Sequence, residues 1–202
     1  MSIATIILAA GGSTRLGQPK QLLSIDQTTL VQRMAQLALA LEAGPVAVVL
    51  GGNQEQIQSE LDHLSVQLVH NENWQSGLAS SIQAGLQSLD TVAFDAFLIL
   101  LTDQPYVTTA LLQQLIDTYQ QTNKGIVACR YGEAGHLGVP ALFARQYETN
   151  FGQLKGDIGA RKLIQQHPND CAEVLFPQAS VDLDTWEDVQ RWRDNSQKQQ
   201  MP

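Results

Sequence analysis

Only two of the 202 residues are cysteine, Cys129 and Cys171, far apart and outside any CxxC spacing. That argues against a zinc site or a disulfide framework and suits a reducing compartment. Positive charge is scarce as well: 12 Lys and Arg stand against 20 Asp and Glu, a formal net charge of −8. No basic cluster is present to neutralise a phosphate backbone, so nucleic acid is not an expected partner. The four histidines show no metal-ligand spacing, and GxSxG is absent, which leaves hydrolase chemistry without support. No apolar run is long enough to span a membrane. The opening "MSIATIILAAGG" resembles the apolar part of a secretion signal, yet no Lys or Arg precedes it. It reads as a strand, and the protein as cytoplasmic and free of membrane.

What remains is an ordinary globular composition, 44% hydrophobic and 16% charged. A chain of this size buries about 70% of its unfolded surface and needs no covalent staple. One domain over residues 1–195 is expected, with 196–202 as a disordered, frayed tail. Residues 3–9 form a continuous apolar run, the pattern of a strand buried on both faces, and 95–103 is the most hydrophobic of the expected strands. Further strands are expected over 45–52, 66–71 and 125–131, and helices over 29–42, 54–62, 77–89 and 110–121. The last third is less regular: "VPALFA", a helix over 159–167, "AEVLF", a short strand in "VDLDT" and a final helix over 186–193. Alternating strand and helix predicts a Rossmann-like α/β fold, a mainly parallel sheet flanked by helices.

Residues 8–20, "LAAGGSTRLGQPK", place two glycines, Arg15 and Lys20 directly after the first strand. Ligands of open α/β sheets sit beyond the carboxyl ends of the strands, and glycine-rich turns present converging N–H groups to anions. Arg15 offers a forked donor and Lys20 a compact cation. A P-loop is excluded because Gln18 follows Gly17 where lysine is required, and GxGxxG is absent. An ordinary loop with surface cations remains the alternative. In "LLTDQPYV", Asp103 falls just past the most apolar run, where a carboxylate facing phosphates suits Mg²⁺; a turn or capping aspartate is the simpler reading. In "VDLDTWED", Asp182 and Asp184 share one face of the expected strand, while Thr185 and Asp188 form a capping box. "NENWQSGLASSIQAGL" sets a glycine and two serines at a helix start, and "GDIGAR" a turn before another.

Taken together and in order, these motifs resemble those of nucleotidyltransferases of the molybdenum-cofactor group, in particular its cytidylyltransferase branch, over residues 3 to 193. Guanylyltransferases of the same pathway tend to have LAGG where this chain has Leu8-Ala9-Ala10-Gly11. Two positions depart from the family pattern: Leu16 replaces a methionine, and Trp186 a proline. The resemblance implies a fold of the nucleotide-diphospho-sugar transferase type. It implies CMP transfer from CTP to the terminal phosphate of molybdenum cofactor (molybdopterin), with Mg²⁺ as cofactor and pyrophosphate released. Transfer of GMP or AMP, or transfer to a sugar or alcohol phosphate, fits the same scaffold. A nucleotide-sensing or cofactor-delivery protein serving a molybdoenzyme is the non-catalytic alternative. By the same resemblance Leu8, Ala9, Ala10, Gly11 and Gly12 line the nucleotide. Arg15 holds the outer phosphates and Lys20 the α-phosphate, Asp103 and Asp184 bind the metal, and Asp182 is a weaker metal candidate. Ser81 contacts the base, and Gly77 allows close approach to the ribose.

Overall fold

Every residue of the first apolar run is buried in β1 (Ile3–Leu8). The fold is seen in a computed structural model that describes residues 1–12, 16–25, 27–132, 135–183 and 185–199. Ile3 and Ile7 enter one core cluster, while Ala4, Ile6 and Leu8 enter another. Side chains alternate along a strand, so a run that is apolar throughout needs a core on both sides of the sheet.

A 3-10 turn at Lys20–Leu22 follows the glycine stretch, then a small hairpin of β2 (Ser24–Ile25) and β3 (Thr28–Thr29). Helix α1 (Leu30–Leu39) begins where the Thr29 side chain accepts the Gln32 N–H at 3.4 Å. β4 (Val46–Leu50), α2 (Gln54–Ser59), β5 (Gln67–His70), α3 (Leu78–Gln87), β6 (Ala96–Leu101) and α4 (Thr109–Gln121) continue the alternation. The remainder comprises β7 (Ile126–Arg130), β8 (Leu137–Ala144), α5 (Glu148–Gly152), α6 (Ala160–Gln166), β9 (Cys171–Leu175) and α7 (Trp186–Gln199).

The main sheet has the order β5-β4-β1-β6-β8-β7-β9. All neighbouring pairs are parallel except those of β8, which runs against both β6 and β7. Residues of α1, α2 and α4 (Met34, Ile57, Leu115) fill the core on one face; residues of α3, α5 and α6 (Ile82, Phe151, Leu163) fill it on the other. The expected α/β sheet flanked by helices is therefore present. From β1 the chain winds outward through β4 and β5, then returns to place β6 on the other side of β1. That reversal opens a crevice beyond the carboxyl ends of β1 and β6.

One expectation needs correction. Residues 181–183 and 185, the described part of "VDLDT", form no strand: a turn bonds Val181 N–H to the Gln178 carbonyl at 3.1 Å, and Leu183 N–H goes to the Asp103 carbonyl at 3.0 Å. Strand alternation therefore cannot place Asp182 and Asp184 on one face. Helix α7 runs through Gln199; its Gln and Lys residues favour helix and no glycine or proline interrupts them.

Candidate active site

Leu8 and Leu101 pair at the carboxyl ends of the two central strands, so the residues that follow each must meet at the crevice. On the β1 side, the turn is tied to β4 through Ala9 N–H to the Val49 carbonyl (2.9 Å) and Gly52 N–H to the Ala10 carbonyl (3.1 Å). On the β6 side stands Asp103, 8% exposed. Its carboxylate pairs with the Lys20 ammonium, although 83 positions separate them in sequence. Their side chains are 11% and 19% exposed, so water screens the pair only weakly. Oδ2 is the oxygen that meets Lys20; Oδ1 is buried with no hydrogen-bond partner among the described residues.

The C-terminal segment reaches the same place. Besides the bond from Leu183 to Asp103, Leu183 shares a small apolar cluster with Leu16, Leu23, Ile25, Leu30 and Val189. Leu16, where the family has methionine, is thus a core residue here. The capping box at the start of α7 is formed: Asp188 N–H donates to Thr185 Oγ1 at 3.2 Å, and Thr185 N–H to Asp188 Oδ2 at 3.0 Å. Trp186 occupies the first helical position half exposed. Asp184 and Arg15 lie outside the described residues.

A cavity of about 680 Å³ opens between these elements, walled by Leu8, Ala10, Gly11, Lys20, Ser81 and Asp103 among others. Its size and mixture of apolar wall and few charged groups are those of a small-molecule site. Gly77 and Ser81 enter it from the start of α3. The loop 156–159 packs against that helix start: Ala79 N–H donates to the Gly156 carbonyl at 3.0 Å, and a Cβ on Gly77 would lie 2.2 Å from the Gly156 carbonyl carbon. Glycine at 77 is thus required by another stretch of backbone. The same contact brings Asp157 to the cavity wall. Ser81 is buried, and its Oγ accepts a hydrogen bond from Asn71 Nδ2 at 3.1 Å. The Trp74 indole lies across Gly12, 3.0 Å from where a Cβ would stand, and forms part of the rim.

A second hollow of about 270 Å³ adjoins the first and shares Leu8, Leu78, Leu101 and Asp157 with it. Tyr131, His136, Arg161 and Asp182 line it, so Asp182 sits in this neighbouring compartment. Gln104 Nε2 donates to Tyr131 Oη and to the Val139 carbonyl, both at 3.0 Å, and fixes the wall. Burial pushes the Tyr131 hydroxyl above its usual range. Partial desolvation, then the Arg161 guanidinium, holds the His136 imidazole below its usual value, which favours the neutral ring. A further hollow of about 480 Å³ lies across Trp74, but the described residues that line it include Glu55, Glu72 and amide side chains and no cation to meet a phosphate.

Among the described residues no three His, Cys, Asp or Glu side chains gather closely enough to cage a metal. Mg²⁺ does not need such a cage, since it commonly uses one or two carboxylates and completes its shell with water and phosphate oxygens. The orphaned, buried Asp103 Oδ1 is a hard oxygen donor in the right cavity, so the residues present fit that mode.

Residues 5–171 match the MobA-like NTP transferase domain. The chain belongs to this family. A relative along nearly the whole length is nicotine blue oxidoreductase of Paenarthrobacter nicotinovorans, 28% identical over 94% of this chain and 95% of that one. The bifunctional protein GlmU of Francisella tularensis subsp. novicida is 28% identical over 63% of this chain, which corresponds to 28% of its own length. Among solved structures, Rv0371c of Mycobacterium tuberculosis superposes with a TM-score of 0.82 at 30% identity, covering 94% of this chain and 96% of that one. A structure of the same mycobacterial protein in complex with manganese gives 0.78 at 28% identity, over 95% of this chain and 97% of that one. These similarities agree with a nucleotidyltransferase fold of the nucleotide-diphospho-sugar transferase type.

The motifs read from sequence thus converge on one crevice: Leu8, Ala10, Gly11, Lys20, Gly77, Ser81 and Asp103 all wall the same cavity. Gln21, Asn71, Gln104 and Asp157 carried no sequence signal of their own. Gln104 and Asp157 act on partners far away in the chain, and Gln21 and Asn71 on backbone or hydroxyl groups 9 to 12 positions away, beyond any local pattern.

Proposed function

We propose that this MobA-like protein transfers CMP from CTP to the terminal phosphate of molybdenum cofactor (molybdopterin), releasing pyrophosphate. The observation that carries the reading is the meeting of the Lys20 ammonium and the Asp103 carboxylate on the wall of a nucleotide-sized cavity lined by Ala10 and Gly11. A cation, an orphaned carboxylate oxygen and exposed backbone are what a triphosphate requires.

In the proposed reaction an acceptor phosphate oxygen attacks the α-phosphorus. A P–O bond forms there as the α–β bridging P–O bond breaks, and pyrophosphate departs with that bond's electrons. The attacking oxygen is already anionic, so no side chain has to remove a proton. The barrier is charge crowding and alignment, which placed cations relieve. Lys20 would leave Asp103 to donate to the α-phosphate as charge builds, and Arg15, by its motif, would hold the outer phosphates. Asp103 and Asp184 would hold Mg²⁺, which when bound neutralises charge on the triphosphate. Ser81 would meet the base. The second hollow, which adjoins the first and has Arg161 at its wall, would take the acceptor.

The test is pyrophosphate release with CTP, GTP, ATP and UTP in turn, with Mg²⁺, in the presence and absence of molybdenum cofactor. Release that requires both CTP and the cofactor supports the proposal. Preference for GTP or ATP would keep the chemistry and change the base. The full-length similarity to a protein named as an oxidoreductase favours one second reading, reduction of a ring-bearing dye on this scaffold. Oxidation of a reduced nicotinamide with nicotine blue, without pyrophosphate release, would put that reading in place of transfer.

A further inference from the structure

Gln21 is the most deeply buried polar side chain of the site, 1% exposed, and the transfer chemistry leaves it without a task. It follows Lys20 in the 3-10 turn, and its Nε2 group donates to the carbonyls of Ala9 and Gly11, both at 2.8 Å. One amide nitrogen thus uses both of its protons on two carbonyls of the glycine turn. A burial this complete is costly for an amide unless its hydrogen bonds are made, so the side chain is held where it is.

The consequence follows from peptide geometry. In a trans peptide the C=O and N–H point in opposite directions. Holding the Ala9 and Gly11 oxygens toward Gln21 therefore turns the N–H groups of Ala10 and Gly12 away from it. We propose that Gln21 is a positioning residue for the proposed nucleotide site, fixing the 9–10 and 11–12 peptide planes so that the turn offers N–H groups, and not carbonyl oxygens, to an anion. This rests on the reading of the cavity as a nucleotide site. The 11–12 peptide is where the restraint acts most directly: among the described residues nothing stands within 4 Å of a Cβ placed on Gly11, and its carbonyl is held by Gln21. A flipped 11–12 plane would set a carbonyl dipole against phosphate. The turn that supplies Gln21 also supplies Lys20, so one short segment ties the β1 loop to Asp103.

The test uses Gln21→Met, which keeps length and shape but has no donor, and Gln21→Glu, which keeps size and replaces both donors with acceptors. Two readouts are taken on the full chain: affinity for CTP with Mn²⁺ by calorimetry, and the Gly12 amide resonance in ligand-free protein. The expected result is nucleotide affinity of the folded protein lowered by about 10- to 100-fold, with a shifted or exchange-broadened Gly12 resonance; Gln21→Glu also lowers the melting temperature, because it sets a buried carboxylate against two carbonyls, and Gln21→Met lowers it less. A purely structural role would lower the melting temperature and leave the affinity of the folded fraction unchanged, which overturns the proposal. An unchanged Gly12 resonance in both variants overturns it too. Should one variant fail to fold, the other decides. If the wild-type protein bound no nucleotide, the functional reading would fall, and the anchoring would still stand or fall on the Gly12 resonance.

Discussion

Replacing Gly77 with alanine adds one methyl group at a point where two distant loops touch. Gly77 has φ +111°, a region that L-residues rarely adopt, and caps the N-terminus of α3. Its new Cβ would lie 2.2 Å from the Gly156 carbonyl carbon, 2.4 Å from that oxygen and 2.7 Å from Asp157 N. These are backbone atoms, so no side chain can swing aside. Gly156 has φ +62° itself and accepts the Ala79 N–H, which leaves its loop little freedom to retreat. Strain at positive φ costs about 1–3 kcal/mol, and overpacking roughly another 1–3 kcal/mol. Partial detachment of the 156–159 loop would absorb some of this, so a loss of about 2–4 kcal/mol is expected. Urea unfolding followed by far-UV circular dichroism reads it. Gly11→Ala is the control: its Cβ meets nothing within 4 Å, so stability should stay within about 0.5 kcal/mol while nucleotide binding weakens. Equal urea midpoints for Gly77→Ala and wild type would refute the claim that this glycine exists for the approach of the second loop.

Lys20→Ala should lower kcat by about 10²–10³ while changing nucleotide affinity far less, because the cation serves charge that builds in the transition state; steady-state kinetics separate the two, and a loss confined to KM would make Lys20 a binding group only. Asp170 governs part of the acid stability. Its carboxylate accepts from Tyr147 Oη at 2.5 Å and Gly125 N–H at 2.9 Å, and these bonds hold its pKa below the ordinary carboxylate value. A depressed folded-state pKa gives stability that is complete above the unfolded value, near 4, and is lost as pH falls through the folded one. Asp170→Asn should therefore flatten the fall in melting temperature below about pH 4; an unchanged acid limb would remove this carboxylate from the account.

The layered fold was legible because its signals are local. Continuous apolar runs marked β1 and β6, and leucines at helical spacing marked α1, α3 and α4. The antiparallel course of β8 was not legible, since an apolar run reads alike in either direction. Within the site, Gly11 stood out as part of a glycine pair directly after the first strand, and Lys20 because cations are rare in this chain. Asp103 stood out because it ends the most apolar run. The ion pair between Lys20 and Asp103 had no local signal, nor did the clasp between Gly77 and Gly156, since long loops and whole elements intervene. Gln21 was invisible for a different reason: a glutamine in a polar stretch looks like surface until its two carbonyl acceptors are seen. Reading "VDLDT" as a strand failed because a turn and a single bond to Asp103 outweighed the alternating pattern.

The central claim is that Asp103 joins the glycine turn in holding a metal-bound nucleotide tail. Calorimetric titration of CTP, with Mn²⁺ and with EDTA, into wild-type protein and Asp103→Asn tests it most directly. Wild type should bind at least about ten-fold more tightly with the metal than without. In Asp103→Asn that gain should vanish while metal-free affinity holds steady or rises, because the substitution removes a negative charge beside the phosphates. A metal-dependent gain of the same size in both proteins would contradict the account.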